Sequence, residues 1–167
     1  MSGVGVPGNV PRVAVTEVQG IEGLKALQGR KIGPSEWREV TQEMIDEFAE
    51  LSGDDQWIHV DVERARNESP FGGTVAHGNL TLSMIDGFRR GLITSTGFKL
   101  GVNYGWNRVR FPAPVPSDSR IRATAEVTEV EDVGGGWWQI VTRFTVEAEG
   151  QDKPACVADS VGRALPE

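Results

Sequence analysis

The chain has few of the side chains that form cross-links or bind soft metals. Its 167 residues include one cysteine, Cys156, and two histidines, His59 and His77. A single cysteine excludes both an internal disulfide framework and a thiolate zinc cluster. The neighbours of Cys156 alternate in polarity as they do in a strand. Cys156 is therefore predicted to be a buried small hydrophobe.

Long apolar runs and an excess of positive charge are also missing. No stretch reaches the roughly 18 apolar residues that a membrane span needs, and the N-terminus lacks the features of a secretory signal. The net charge of −7 disfavours nucleic acids and anionic membranes as main partners. A cytoplasmic protein is expected. Its start, rich in glycine, valine and proline, predicts a flexible arm over residues 1–18 before one domain over residues 19–167.

The first part of this domain has helical patterns. Apolar residues recur at helical spacing over residues 21–27, and again from the N-cap candidate Thr41 to Leu51. The second of these helices is predicted to end at Gly53, because glycine readily takes the left-handed conformation that turns the chain. Asp54 is therefore expected to emerge from a fixed turn.

A long helix and several strands are predicted for the rest of the chain. Apolar residues cover much of the circumference of a helix over residues 78–91, which predicts that it is largely enclosed. Alternating patterns predict strands near residues 99–110, 120–130, 138–146 and 154–165. Long antiparallel strands after one buried helix indicate an α+β fold, with an antiparallel β-sheet wrapped around a long central helix.

Asp54 and His59 form the most informative pattern, because they lie five positions apart beside a Gly-Asp turn. Two such groups can share one water in general acid–base catalysis, and the N–H of Gly78 at a helix start suits an oxygen that gains negative charge. These parts suit the addition of water to an enoyl thioester, or its removal. Taken alone, Asp54 also suits a helix-ending turn, His59 a structural histidine, and His77 with Gly78 an ordinary turn.

The stretch from residue 48 to residue 85 resembles the MaoC-like, or (R)-specific enoyl-CoA hydratase, family (hydratase 2). The family signature is an aromatic residue, Ser/Thr-Gly-Asp, a variable residue, Asn-Pro, an aliphatic residue and His, followed later by His-Gly. The matching residues are Phe48, Ser52, Gly53, Asp54, Ile58, His59, Val75, Ala76, His77 and Gly78. The resemblance covers roughly residues 30–165, including a downstream strand at residues 103–111.

The resemblance implies a hotdog fold, a homodimer whose sheets join edge to edge, and a role in fatty acid metabolism. It also implies that Asp54 and His59 activate the water and that the Gly78 N–H stabilises the enolate oxygen. The expected product is an (R)-3-hydroxyacyl-CoA. No metal and no redox cofactor are implied, and the expected partner is an acyl-CoA.

Two adjacent residues depart from the signature: Gln56 replaces the usual Asn, and Trp57 replaces Pro. Gln56 retains an amide that could orient the water or His59. Trp57 either narrows the acyl pocket or packs beneath the turn. The variant is similar to a single-hotdog subgroup that includes nodulation protein N-like members.

Further residues are candidates for substrate contacts. Arg108 and Arg110 share one face of a predicted strand and, with Lys99 and Arg120, suit the phosphates of CoA. Each also suits an ordinary solvated strand position. The other candidates for substrate binding are Gln56, His77, Asn79, Asn103 and Phe111.

Two alternative functions remain open on the sequence. A hotdog thioesterase also uses a carboxylate and a helix N-terminus, although His59 beside Asp54 favours hydration. A non-catalytic acyl-CoA-binding protein would keep the fold without turnover. The sequence leaves open the acyl group, the direction of the reaction, and whether the carrier is CoA or an acyl carrier protein.

Overall fold

The computed structural model describes residues 14–167. Residues 1–13, which make up most of the predicted arm, lie outside the described residues. The end of that arm differs from the prediction, because strand β1 (Thr16–Gln19) pairs in parallel with strand β4 (Ile93–Thr96). Val18 is buried in this pairing. The packed part of the chain therefore begins before residue 19.

The remaining elements follow in chain order. The helices are α1 (Gly20–Ala26), α2 (Gln42–Ser52), α3 (Trp57–Val60), α4 (Val62–Glu68), α5 (Gly78–Ser83) and α6 (Ile85–Leu92). The other strands are β2 (Lys31–Ile32), β3 (Arg38–Val40), β5 (Phe98–Arg110), β6 (Ser119–Asp132), β7 (Trp138–Ala148) and β8 (Cys156–Pro166).

The long strands form one antiparallel sheet in the order β2-β6-β7-β8-β5, with β3 also paired to β6. Alternate residues of β6, among them Ile121 and Val127, are fully buried. They pack against Leu80 of α5 and Phe88 of α6 in a single hydrophobic core. This face, turned toward α5 and α6, is the inner face of the sheet. The predicted α+β architecture is confirmed, and β5 lies at the edge of the sheet.

The central helix is not the single enclosed helix that the sequence predicts. It divides at Met84 into α5 and α6. Ile85 and Phe88 are buried, whereas Asp86 and Arg90 are exposed. The prediction of enclosure is wrong for this outer face, because the charged residues recur at helical spacing and share the side turned away from the sheet.

Helix α2 begins and ends as predicted. The Thr41 hydroxyl accepts a hydrogen bond from the Met44 N–H (3.2 Å), and Gly53 ends the helix with φ of 75°. Leu51 is a correction, because it is 84% exposed. It lies six positions after the buried Ile45, which places it about 120° away around the helix.

Cys156 is fully buried at the start of β8, as predicted. Burial raises the pKa of its thiol to about 11, because a thiolate is poorly solvated in the core. Among residues 14–167, no helix is both long enough and apolar enough to cross a membrane.

Candidate active site

Asp54 is held by the turn that ends α2. Its N–H donates to the Ser52 hydroxyl (3.3 Å), and that hydroxyl donates to the Phe48 carbonyl (2.6 Å). The left-handed Gly53 directs the chain into this turn, and its own N–H donates to the Ala49 carbonyl (2.9 Å). Asp54 is exposed. The predicted mount is therefore present, with a carboxylate that solvent and ligands can reach.

His59 lies in the short helix α3 and is only 7% exposed. Its Nδ1 is 2.6 Å from the Val75 carbonyl oxygen. A carbonyl can only accept a hydrogen bond, so the proton is assigned to Nδ1. In the neutral ring this assignment leaves a lone pair on Nε2, which can accept a hydrogen bond from water.

His77 lies beneath Asp54 and His59. Its Nε2 donates to the Asp54 carbonyl (2.8 Å), and its ring stacks on that of His59 with centroids 3.8 Å apart. Phe48 packs on the same ring with centroids 5.0 Å apart. His77 is 2% exposed, and its Nδ1 has no hydrogen-bond partner among residues 14–167. This placement differs from the predicted substrate contact, because His77 supports the other two residues from within the protein.

Asp54, His59 and His77 form one compact cluster. A carboxylate oxygen of Asp54 and one ring nitrogen of each histidine all lie within 4.8 Å of one another. One water can bridge groups at that separation, since each of its hydrogen bonds spans about 2.8 Å. The structure therefore brings together the acid–base pair that the sequence predicts.

The same cluster is the only grouping of potential metal ligands at chelating distance within the described part of the chain. Two histidines and a carboxylate are a ligand set that zinc and iron accept. Here, however, the histidine planes are stacked and only 27° apart. A bound ion lies near the plane of each imidazole that holds it, so face-to-face rings are poorly placed to share one. The geometry suits a water better than a metal.

Gly78 opens onto an apolar cleft beside this cluster. It is the first residue of α5, so its N–H has no partner within the helix. The cleft has a volume of about 290 Å³. It is lined by Ile58, Phe71, Val75, Ala76, Gly78, Thr81, Phe111, Pro112, Ala113, Pro114, Val115 and Ala155. Asp54 and His59 do not line the cleft. Chain neighbours of the two histidines do, namely Ile58 beside His59, and Ala76 and Gly78 on either side of His77.

Phe111 explains why glycine is needed at position 78. A Cβ on Gly78 would lie 2.7 Å from Cδ2 of the Phe111 ring and less than 3 Å from two further ring carbons. The absence of a Cβ at position 78 allows another group to approach the backbone closely. The structure adds that the close approach is already made by an aromatic side chain that the sequence predicts to contact substrate.

Gln42, which no sequence motif marks, connects the two segments that carry the histidines. Its Nε2 donates to the His59 carbonyl (2.8 Å) and to the Asp46 carboxylate (2.8 Å). Its Oε1 accepts a hydrogen bond from the Thr74 hydroxyl (2.6 Å). Thr74 directly precedes Val75, whose carbonyl is bonded to His59. Gln42 starts α2, which in sequence resembles any polar first turn. No sequence pattern pointed to its three bonds.

The predicted basic residues do not gather at this cleft. Val109 packs into the core, so Arg108 and Arg110 on either side of it point to the outer face of β5. Both are exposed. Arg120 forms a bidentate salt bridge with Glu149. The hydrogen bonds from Arg120 lower the pKa of the Glu149 carboxyl. Arg120 is therefore not free for a phosphate.

The other predicted contacts are also dispersed. Gln56 is exposed before α3, and its side chain does not cap that helix. Asn79 is exposed on α5, while Lys99 and Asn103 line a different cavity. The Arg64 guanidinium lies over the Trp57 ring, with its Cζ 4.3 Å from the ring centroid. Trp57 is not among the cleft-lining residues, which favours its interpretation as a packing residue.

Comparison with known protein families identifies the family of this chain. The family model described as "MaoC like domain" matches residues 24–148. The chain belongs to the MaoC-like family. The antiparallel sheet packed around α5 and α6 is the hotdog fold that the resemblance implies, and the predicted family membership is confirmed.

Individual relatives agree with this assignment. The chain is 50% identical over 145 residues to 3-hydroxyacyl-thioester dehydratase Z of Mycobacterium tuberculosis, covering 87% of this chain and 95% of that protein. It is 42% identical over 132 residues to nodulation protein N of Rhizobium leguminosarum, covering 78% and 82%. The structure of a monoamine oxidase regulatory protein from Archaeoglobus fulgius superposes with a TM-score of 0.71 and 28% identity, over 86% and 94% of the two chains. The predicted likeness to nodulation protein N is confirmed.

Proposed function

We propose that this MaoC-like protein is a hydro-lyase that adds water to a trans-2-enoyl thioester, giving an (R)-3-hydroxyacyl thioester, and catalyses the reverse dehydration. The main observation that supports this proposal is that a carboxylate oxygen of Asp54 and a ring nitrogen of His59 lie within 4.8 Å of each other. The relative named 3-hydroxyacyl-thioester dehydratase Z supports the same reaction. The (R) configuration follows from the family resemblance.

In the hydration direction, the Asp54 carboxylate and His59 Nε2 both accept hydrogen bonds from one water. The water oxygen then forms a bond to the β-carbon, and one O–H bond breaks as its proton passes to this pair. The pair returns a proton to the α-carbon on the same side of the double bond. Syn addition results, and the pair ends the reaction in its starting protonation state.

Negative charge builds on the thioester oxygen while the α-carbon awaits its proton. In this proposal the Gly78 N–H and the N-terminal end of α5 stabilise this charge, because donors that are fixed before the reaction do so most effectively. Loss of one such donor typically raises the barrier by roughly 3 kcal/mol. The apolar cleft at Gly78 would exclude water from this oxygen and strengthen the interaction.

We also propose a homodimer formed through β5. This strand is the edge of the sheet and exposes Leu100, Val102 and Tyr104. An unpaired edge with apolar side chains favours pairing with another strand. A second copy of β5 in antiparallel alignment would continue the sheet across the dimer. The small-molecule partner in this proposal is an acyl-CoA.

Absorbance of crotonyl-CoA tests the reaction directly. Hydration removes the conjugated enoyl band without releasing thiol, whereas a thioesterase releases free CoA. We expect Asp54→Asn and His59→Ala each to lower kcat by about 100-fold or more while leaving the fold intact. Asp55→Asn, a change at the adjacent exposed carboxylate, is the matched control and should retain activity. Near-wild-type turnover in both site variants, or stoichiometric thiol release, would exclude this mechanism.

A further inference from the structure

A second and larger cavity lies between α6 and the inner face of the sheet. Its volume is about 480 Å³, within the range of small-molecule sites. Strand β5 borders this cavity at Asn103, whereas Phe111, the first residue after the strand, lines the Gly78 cleft. At about 3.3 Å per residue, these two positions are roughly 25 Å apart along the chain. The cavity is therefore separate from the catalytic cluster.

Apolar and polar residues share the lining of this cavity. Its apolar residues include Leu24, Ile93, Phe98, Val127, Ile140 and Phe144. Three hydroxyl residues, Ser95, Thr142 and Ser160, also belong to the lining. Thr142 of β7 and Ser160 of β8 are directly paired across the two strands, and both line the cavity.

These two hydroxyls lie where an ordinary core would have apolar side chains. Thr142 alternates with Phe144, which is buried in the core, so both face inward. Thr142 is only 8% exposed. Within residues 14–167, neither the Thr142 nor the Ser160 side chain has a hydrogen-bond partner, although buried polar groups are normally paired. Their oxygens are not sealed from the cavity, so a ligand oxygen could bond to them.

A third polar group and a gap lie beside the hydroxyl pair. Asn103 is opposite Gly162 in the β5–β8 register, and its amide has no partner in the described part of the chain. Gly162 keeps this part of the cavity open, because a Cβ there would meet nothing closer than 3.7 Å. Asn103 is exposed, so this side of the cavity is open to solvent and offers both hydrogen bonds and room.

Positive charge predominates at the rim. Arg89 is 3.8 Å from Asp86, so these two charges largely offset each other. Lys99 is exposed and has no ion pair among the residues the structure describes. Arg163 also lines the cavity and has no ion pair in the described part of the chain, and its guanidinium lies 3.6 Å from the centroid of the Tyr104 ring. The lining thus carries two uncompensated positive charges, those of Lys99 and Arg163, although the whole chain has a net charge of −7. Such a rim attracts a carboxylate.

We propose that this cavity binds an aliphatic carboxylate whose chain carries a hydroxyl or oxo group. Thr142, Ser160 and Asn103 would bond the chain oxygen, the apolar walls would bury the methylenes, and Lys99 would face the carboxylate. An unsubstituted chain would leave the two hydroxyls without partners, which disfavours it. The same chemistry occurs in a free hydroxy acid and at the far end of a carboxylate-bearing acyl thioester.

Calorimetric titration of the full chain tests the binding. We expect saturable binding of ω-hydroxydecanoate about tenfold tighter than that of decanoate, since the hydroxyl restores hydrogen bonds. The double variant Thr142→Val with Ser160→Ala should abolish this preference, and Lys99→Gln should weaken both acids severalfold. Thr145→Val, on the opposite face of β7, is the matched control. Absent binding, no preference in the wild type, or an equal loss of preference in the control would overturn the proposal.

Competition identifies the source of the ligand. Inhibition by ω-hydroxydecanoate of the turnover of an enoyl-CoA whose long acyl chain carries a hydroxyl and a terminal carboxylate, but not of crotonyl-CoA, would identify the far end of the substrate acyl group. Inhibition of neither would identify a free acid. Inhibition of crotonyl-CoA turnover would place the acid in the Gly78 cleft and overturn the proposal. Only this competition rests on the proposed function, because the titration also succeeds or fails in the inactive Asp54→Asn variant.

Discussion

The imidazole rings of His59 and His77 lie face to face, with centroids 3.8 Å apart and planes 27° apart. Each ring also bonds a main-chain carbonyl, that of Val75 for His59 and that of Asp54 for His77. The stack therefore connects the ring proposed to act on water with the backbone of the carboxylate proposed to act beside it. This relationship makes the pair a rigid unit.

The stacked rings lead to a prediction about metals. We expect dialysis against a chelator to leave hydratase activity unchanged, because parallel rings are poorly placed to share an ion with Asp54. Metal content and turnover should be measured on the same sample before and after dialysis. Loss of activity with the chelator, and its recovery with zinc or iron, would contradict this reading of the cluster.

Gln42 should act as a positioning residue for both histidine-bearing segments. We expect Gln42→Leu to lower kcat by about tenfold or more with a smaller change in KM, because His59 loses a support while the Gly78 cleft is untouched. Gln42→Glu should be intermediate, since it can still accept from Thr74 but cannot donate to the His59 carbonyl. Steady-state kinetics on enoyl-CoA checks both values.

A matched glutamine elsewhere provides the control. Gln28 also donates to a main-chain carbonyl, that of Thr128 (3.3 Å), but it contacts neither histidine segment. Gln28→Leu should keep wild-type kcat. If Gln42→Leu and Gln28→Leu lose stability equally and neither changes kcat, Gln42 has only a structural role.

Gly78 and Phe111 should be energetically coupled. We expect Gly78→Ala to destabilise the fold by about 1–3 kcal/mol, the usual cost of overpacking, because the new Cβ meets the Phe111 ring. Phe111→Ala, at a side chain that is 42% exposed, should cost less. The double variant should recover part of the loss, which urea unfolding of all four proteins measures. Strict additivity would show that the ring moves aside freely.

Cys156 should be unreactive and should make stability depend on alkaline pH. Its thiol pKa is raised to about 11, above the ordinary value of about 8.5. An acid whose folded pKa is raised contributes stability that is complete below about pH 8.5 and is lost as the pH rises toward 11. Unfolding free energies should therefore fall between pH 8 and pH 10.5, and less so in Cys156→Ala. Rapid thiol labelling of the folded protein at pH 8 would contradict this.

Local sequence signals predicted much of the architecture. The cap at Thr41, the stop at Gly53 and the alternation of β6 each depend on neighbours in the chain, and each appears in the structure. The break at Met84 was not predicted, because the apolar pattern continues across it. Strand β4 was missed for a different reason, since its four residues are stabilised by pairing with β1, more than 70 positions earlier.

The candidate site likewise contains residues that local sequence predicts and residues that it does not. Asp54, His59 and Gly78 were predictable, because a motif keeps them close in sequence. Gln42 and the carbonyl of Val75 were not, because their partners come from separate segments. Arg108 and Arg110 show the opposite error. Their spacing correctly predicts a shared face, but strand spacing alone does not say which face of the sheet that is.

The supports of the site end on main-chain oxygens, at Val75 for His59, at Asp54 for His77, and at His59 for Gln42. A point mutation can replace any side chain but leaves a carbonyl oxygen in place. Substitutions at the surrounding positions therefore leave these three hydrogen-bond acceptors in place. Gln56 and Trp57, which stand where the family signature has Asn and Pro, leave all three of these acceptors in place.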